Sequence, residues 1–155
     1  MKHFWCVLFV VCFVSAQPIQ TEPRKDWSWS SSFGFSSEKI AISFYDGSIL
    51  YNIDENSELY GTLTSIGFVS GIGLGYKYYI GGKSKSSMFV NTGAQIYVMG
   101  ENHTVDAVLN TAAGLSLKKT GGKTSFNIGI SLLFLFEEYN DGELLIPFIN
   151  LQRRL

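Results

Sequence analysis

The alternation of residue types in residues 126–136 is the sequence feature that most constrains the fold. Every second residue there is large and apolar: Phe126, Ile128, Ile130, Leu132, Phe134 and Phe136. The first residues between them, Asn127, Gly129 and Ser131, are small and uncharged. A period of two indicates a β-strand, because successive side chains point to opposite faces. A water-soluble sheet normally exposes charged residues, so this pattern favours a strand with lipid outside and a narrow polar lumen inside.

Four other segments repeat this combination of a large apolar face and a small face, namely residues 27–36, 71–80, 90–98 and 109–118. No apolar run after residue 16 is long enough for a transmembrane helix. Strands that enter a membrane must close into a barrel, because lipid cannot satisfy open backbone edges. The sequence therefore predicts an all-β protein, an antiparallel up-and-down transmembrane β-barrel of about eight strands.

Residues 1–16 have the pattern of a secretory signal peptide. Lys2 and His3 precede an apolar stretch, residues 4–14, that is too short to span a bilayer. Small residues then provide a cleavage site after Ala16. The alternative, a lipoprotein acylated on Cys12, lacks a good match in the three residues before that cysteine. We predict one exported domain, a β-barrel over residues 17–155.

The composition of the exported chain excludes several classes of site. Both cysteines, Cys6 and Cys12, belong to the signal segment, so a disulfide framework and a thiolate site are excluded. Loss of Lys2 leaves 11 basic and 13 acidic residues, a net charge of −2. A chain with that charge balance lacks the excess of basic residues typical of nucleic-acid-binding proteins, so no nucleic-acid partner is expected.

The strands between residues 38 and 68 have two possible arrangements. In the first, strands 39–45 and 48–53 meet at an Asp46-Gly47 turn, and a long strand covers residues 59–80. In the second, residues 39–53 form one bulged strand and the chain turns at residues 69–71. Both give eight strands and place the two termini at the same end.

Charge favours the first arrangement. The predicted hairpin turns at residues 81–86 and 119–123 are rich in lysine and share an end with Arg153 and Arg154. The loops at the opposite end are acidic, with Glu101, Asp106, Glu137, Glu138, Asp141 and Glu143. The first arrangement adds a further acidic group to that end, namely Asp54, Glu55 and Glu58.

A signal peptide, alternating strands, short turns at one end and longer loops at the other make the chain resemble the small, porin-like outer-membrane β-barrel proteins of Gram-negative bacteria. The resemblance covers the whole exported chain, which departs from the family pattern in ending on Leu155 rather than an aromatic residue. It implies a monomer in the bacterial outer membrane, with membrane lipids, lipopolysaccharide and the outer-membrane assembly machinery as partners.

His103 is the one histidine after the signal segment. Some small outer-membrane barrels are lipid A esterases with a Ser, a His and an acidic residue at the rim, and Glu101 lies near His103 in sequence. No serine motif accompanies this histidine, so we predict a solvated loop residue and assign no catalytic, cofactor-binding or metal-binding residue and no cofactor. The alternative role for the acidic loops is to bind divalent cations shared with lipopolysaccharide, although their acidic residues do not have the spacing of a calcium-binding loop.

Aromatic and glycine residues complete the predicted barrel. An interfacial aromatic girdle is expected from Trp27, Trp29, Tyr76, Tyr78, Phe134 and Phe136. Glycines recur on the small face, namely Gly71, Gly73, Gly75, Gly93, Gly114 and Gly129. They leave either a slot for water or an acyl chain or room for larger lumen side chains, for which the candidates are Tyr45, Tyr79, Tyr97 and Lys77. An eight-stranded barrel of this kind is filled rather than open.

The function expected from the sequence is a structural or surface-interaction role in the outer membrane, without an open pore and without enzymatic activity. Two alternatives stay open. One is a secreted, soluble β-barrel that binds an apolar ligand, with its large-residue face turned inward. The other is a lipid A esterase with its site at the outer rim.

Overall fold

The computed structural model describes residues 26–39, 43–66, 69–99, 104–119, 122–136 and 142–155. Its regular elements are eight strands: β1 (Trp27–Ser36), β2 (Ser43–Asn52), β3 (Ser57–Ile66), β4 (Val69–Ile80), β5 (Ser87–Met99), β6 (Thr104–Lys118), β7 (Thr124–Phe136) and β8 (Gly142–Arg154). Each strand pairs antiparallel with the next, and β8 pairs with β1 to close the barrel. The predicted closed antiparallel barrel of eight strands is confirmed. Among the described residues, no helix is long and apolar enough to cross a membrane.

The large-residue face of the strands lies on the outside of the barrel. On β7, the Ile128 and Ile130 side chains are 43% and 50% exposed, whereas Asn127 and Ser131 are completely buried. The predicted orientation, with large apolar residues outward and small polar residues inward, is therefore correct for this strand. A soluble barrel that binds an apolar ligand in its interior requires the reverse orientation.

The preferred arrangement of residues 38–68 is wrong. Asp46 and Gly47 do not form a turn, because β2 continues through them and pairs with β1 and β3 on both sides. The long strand expected over residues 59–80 is divided, since β3 ends at Ile66 and β4 begins at Val69. The alternative arrangement, with one strand in place of two, is closer, although its turn at residues 69–71 belongs to β4. A local turn signal at Asp46 is outweighed here by backbone pairing along both edges of β2.

Three acidic residues, Asp54, Glu55 and Glu58, lie at the end opposite to the one predicted. The turn between β2 and β3 lies at the end where β1 begins and β8 finishes, which we call the terminal end. Its Glu55 carbonyl accepts a hydrogen bond from the Lys83 backbone N–H at 3.1 Å. Glu58 also lies at this end and forms an ion pair with Arg154 at 2.7 Å. Acidic groups therefore stand beside the basic ones, because direct pairing with Arg154 stabilises Glu58 there.

Three of the four predicted lumen-filling side chains, Lys77, Tyr79 and Tyr97, are buried inside the barrel. The fourth, Tyr45, is 58% exposed and points outward. It pairs with the outward-facing Phe33 and shares the outer face of β2 with Ile49, because β2 continues through Asp46-Gly47 without a turn. A β-bulge at Gly34, which has a φ of +128°, interrupts the pairing of β1 with β2 beyond this point, where Phe44 is also exposed.

Candidate functional site

The lumen is occupied by a short stretch of chain that follows β1, residues 37–39, which we call the lumen segment. All three of its residues are at most 2% exposed. The Glu38 carbonyl accepts hydrogen bonds from the side-chain amides of Asn91 and Asn110, at 2.8 and 2.6 Å. The Lys39 carbonyl accepts another from the Gln95 amide. The small-residue faces of β5 and β6 therefore provide the donors that hold this segment inside the barrel.

Glu38 forms the central ion pair of the lumen with the Lys77 ammonium, and neither side chain is more than 2% exposed. The other carboxylate oxygen of Glu38 accepts hydrogen bonds from the amides of Asn150 and Asn127, at 3.1 and 3.3 Å. Burial raises the pKa of Glu38, but the nearby charges of Lys77 and Lys39 outweigh it, and the pKa lies below the usual 4.5. The carboxylate is therefore ionised at neutral pH, and its two oxygens have polar partners.

Aromatic rings also surround the Lys77 ammonium. Its nitrogen lies 3.6 Å from the centre of the Phe89 ring and 4.9 Å from that of Tyr79. A desolvated ammonium over aromatic faces is stabilised by the negative charge density of the rings. Lys77 is therefore compensated by one carboxylate and two aromatic rings in a space without bulk water.

A second polar group closes the lumen at the terminal end. Glu58 pairs with Arg154, and the Tyr79 hydroxyl donates a hydrogen bond to the other Glu58 oxygen at 2.9 Å. The Arg154 guanidinium donates to the Tyr79 hydroxyl at 3.2 Å. These contacts join β3, β4 and β8 across the lumen, so this end of the barrel is filled by paired charges.

Apolar side chains fill the space between and beyond the polar groups. One cluster consists of Tyr79, Phe89, Ala112 and Phe148, and another of Tyr97, Val108, Leu133 and Ile146. The glycines of the small face make room for them. A Cβ atom on Gly129 would lie 2.6 Å from the Phe148 ring, and one on Gly75 would overlap the Tyr60 hydroxyl. Repeated glycines thus serve a lumen packed with large side chains.

The outer surface of the barrel is an apolar belt formed by the outward-facing side chains of the strands. Among the most exposed are Phe33, Leu63, Ile72, Leu74, Met88 and Leu145. Leu74, near the middle of β4, is 70% exposed. Soluble monomers rarely expose a contiguous apolar patch of more than a few hundred Å². The outward-facing side chains of the strands thus form an exposed, mainly apolar surface.

Several of the predicted girdle aromatics lie on this outer face near strand ends. Trp27 and Trp29 are 70% and 60% exposed at the terminal end, and the Trp27 ring lies 4.8 Å from that of Tyr51. Tyr76 and Tyr78 are half-buried on the same outer face. Phe134, also half-buried, lies near the other end of β7, and the Phe136 side chain is outside the described residues.

The residues weighed for chemistry in the loops are largely beyond the described part of the chain. His103 and Glu101 lie outside it, as do Glu137, Glu138, Asp141 and the side chain of Asp106. Glu143 is described and exposed. Among the described residues, no group of three His, Cys, Asp or Glu side chains is placed to hold a metal ion.

Sequence reasoning missed the roles of Glu38 and Lys39: the pattern placed Lys39 at the start of a strand and gave Glu38 no role. The available signal was the set of amide side chains on the small face: Asn91, Gln95, Asn110, Asn127, Asn150 and Gln152. Amides buried in a lumen need hydrogen-bond partners, so this set is consistent with a polar group bound inside the barrel.

Compared with protein-family models, curated proteins and solved structures, the chain matches none of them. The functional argument therefore rests on the architecture and on the chemistry of the two barrel surfaces.

Proposed function

We propose that the protein is a monomeric barrel of the bacterial outer membrane with a structural or surface-interaction role, without an open pore and without enzymatic activity. The observation that supports this most strongly is the apolar belt. A closed barrel with large apolar side chains outside and amides and ion pairs inside has the polarity expected for lipid on the outside.

The dimensions of the strands also support membrane insertion. The eight strands have 10 to 15 residues each. A tilted strand needs roughly 9–11 residues to cross the hydrocarbon core. Closure of β8 onto β1 pairs the remaining edges, so no strand edge is left open to lipid.

The contents of the lumen support a closed barrel rather than a channel. Residues 37–39 fill one part of the lumen, the Glu58–Arg154 pair fills another, and aromatic clusters lie between them. A passage for ions would need both ion pairs to break in a space of low dielectric constant, which is costly for buried charges. The role we propose therefore depends on the surface and the loops of the barrel, not on conduction.

Membrane fractionation combined with gel mobility tests this proposal. We expect the protein in the outer-membrane fraction, with different mobilities in SDS before and after boiling, because a closed barrel in detergent keeps its backbone hydrogen bonds until heated. Reconstituted in planar bilayers, it should give no stable conductance steps. Recovery in the soluble periplasm with a single mobility would refute the membrane assignment, and regular conductance steps would refute the closed lumen.

A further inference from the structure

The terminal end of the barrel has an uneven distribution of exposed charge. Lys85 lies in the turn between β4 and β5, Lys119 and Lys123 flank the turn between β6 and β7, and Arg153 is near the end of β8. All four side chains are exposed. We call these four residues the basic rim. They follow one another around the half of the barrel formed by β4 to β8.

Among the described residues, direct ion pairs do not neutralise the basic rim. No ion pair joins any of its four side chains to another residue in the described part of the chain. Glu58, which lies at the same end, is completely buried and already paired with Arg154. Asp54 and Glu55 lie in the neighbouring turn between β2 and β3, where the Glu55 carbonyl accepts a hydrogen bond from the Lys83 backbone N–H. Among the described residues, neither carboxylate forms an ion pair with a rim side chain. Among the described residues, the positive charge of the rim is therefore exposed and available to a negatively charged partner.

The basic rim begins where the apolar belt ends. Leu117 and Leu151 are outward-facing belt residues, 48% and 50% exposed, and lie two positions before Lys119 and Arg153. Ile80 is 53% exposed just before the turn that contains Lys85. Side chains of this length reach from an apolar surface to the polar layer above it. A partner that covers the belt with hydrocarbon and meets the rim with negative charge matches both surfaces at once.

We propose that the basic rim binds the phosphate-containing headgroups of anionic phospholipids in the leaflet at the terminal end. This inference rests on the proposed membrane insertion. It adds a preference for anionic lipids and states which leaflet the basic rim faces. A basic residue at an anionic membrane surface strengthens association by roughly fivefold. Four such residues therefore give a preference that is measurable by competition between lipids.

The protein has built-in probes for this competition, because Trp27 and Trp29 are exposed at the same end. The protein is extracted from membranes and reconstituted in vesicles. Its Trp fluorescence is then quenched with brominated phosphatidylglycerol or brominated phosphatidylcholine. We expect phosphatidylglycerol to be preferred at least fivefold at low ionic strength. The preference should weaken with added salt, since exposed charges are screened.

The matched variants are Lys85→Gln, Lys119→Gln, Lys123→Gln and Arg153→Gln combined in one chain, with Glu55→Gln as the control. The Trp fluorescence of the rim variant should be quenched equally by both lipids, and this variant should keep its heat-dependent gel mobility. The control should keep the preference for phosphatidylglycerol. Lys123→Gln alone should reduce the preference by a smaller factor and covers the case in which the combined variant fails to fold. Equal quenching of the unmodified protein by both lipids would overturn the lipid preference and leave membrane insertion intact. Quenching by neither lipid would instead contradict the proposed function itself.

Discussion

Substitutions at Ile130 and Leu117, compared with each other, distinguish a belt that faces lipid from one that faces water. The two side chains are 50% and 48% exposed on the outer face, so they differ little in burial. They differ in depth, since Ile130 is the middle residue of β7 and Leu117 is the last but one of β6. Six residues separate Ile130 from each end of its strand.

The depth of Ile130 follows from strand geometry. Six residues at about 3.4 Å each give roughly 20 Å along the strand. With a tilt of about 40°, this is roughly 15 Å along the membrane normal, half the hydrocarbon thickness. A lysine at the midplane costs about 2–4 kcal/mol of barrel stability, but near the interface only about 0–1 kcal/mol. We therefore expect Ile130→Lys to lower the free energy of unfolding by about 2–4 kcal/mol and Leu117→Lys by at most about 1 kcal/mol.

Urea unfolding of the reconstituted protein in vesicles, followed by Trp fluorescence and by gel mobility, measures both free energies. Ile130→Met serves as the control for side-chain shape, and it should change stability by less than about 1.5 kcal/mol. On a protein surrounded by water, both lysine substitutions fall on an exposed surface and should each stay within about 0.5 kcal/mol. Equal losses for Ile130→Lys and Leu117→Lys would refute the depth argument and with it the lipid-facing belt.

Three further changes test the lumen and the loops. Lys77→Met leaves the buried Glu38 carboxylate without its main partner and should lower the free energy of urea unfolding by about 3–5 kcal/mol. Adding Glu38→Gln to this variant should recover part of that loss. If the losses caused by the two substitutions were strictly additive, the two residues would not form a direct pair. Gly129→Ala forces a Cβ into the opposite backbone and the lumen, so its melting temperature should fall well below that of Gly47→Ala, which has open space around the new atom; equal values would argue against a tightly packed lumen. His103→Ala should leave lipid A acylation unchanged in mass spectra of the envelope, and loss of deacylation with normal assembly would show an enzyme.

The strand count and the orientation of the faces follow from the sequence because both depend on local alternation. In residues 126–136, the choice between Ile130 outside and Ser131 inside depends only on the pleat and on which residue is larger. The closure of the barrel follows in turn, because eight strands with an apolar outer face cannot leave two open edges in lipid. These features require no knowledge of which strands touch across the lumen.

Residues 38–68 could not be assigned in the same way, because their structure depends on distant contacts. The Asp46-Gly47 pair is a turn signal in isolation, yet Asp46 lies opposite Ser32 and Thr64 in the middle of paired strands. Tyr45 then faces outward in phase with Ile49, and a bulge at Gly34 interrupts the pairing of β1 with β2 just beyond it. Neither the pairing register nor a bulge is encoded in the period of the strand that they alter.

In the proposed membrane setting, the lumen of this barrel requires a different account of packing from that of a soluble core. Burial of the belt against hydrocarbon would then supply the main apolar gain, and it would not depend on what fills the interior. The interior must instead satisfy its own polar groups, because an unpaired buried group is costly. Glu38 does this for several strands at once: Lys77 of β4, Asn91 of β5, Asn110 of β6, Asn127 of β7 and Asn150 of β8.

That arrangement explains why asparagine, rather than serine, faces the lumen at the level of Glu38. An amide extends further than a hydroxyl, and its NH2 group has two hydrogens that can be donated to the lumen segment and to a neighbouring side chain. Asn127, for example, donates to Glu38 at 3.3 Å and to the Asn150 side-chain oxygen at 3.1 Å. The chain can therefore use glycines where aromatic rings need space and amides where the inserted carboxylate needs donors. The alternation that first indicates a lipid-facing strand thus contains, on its smaller face, the residues that close the lumen.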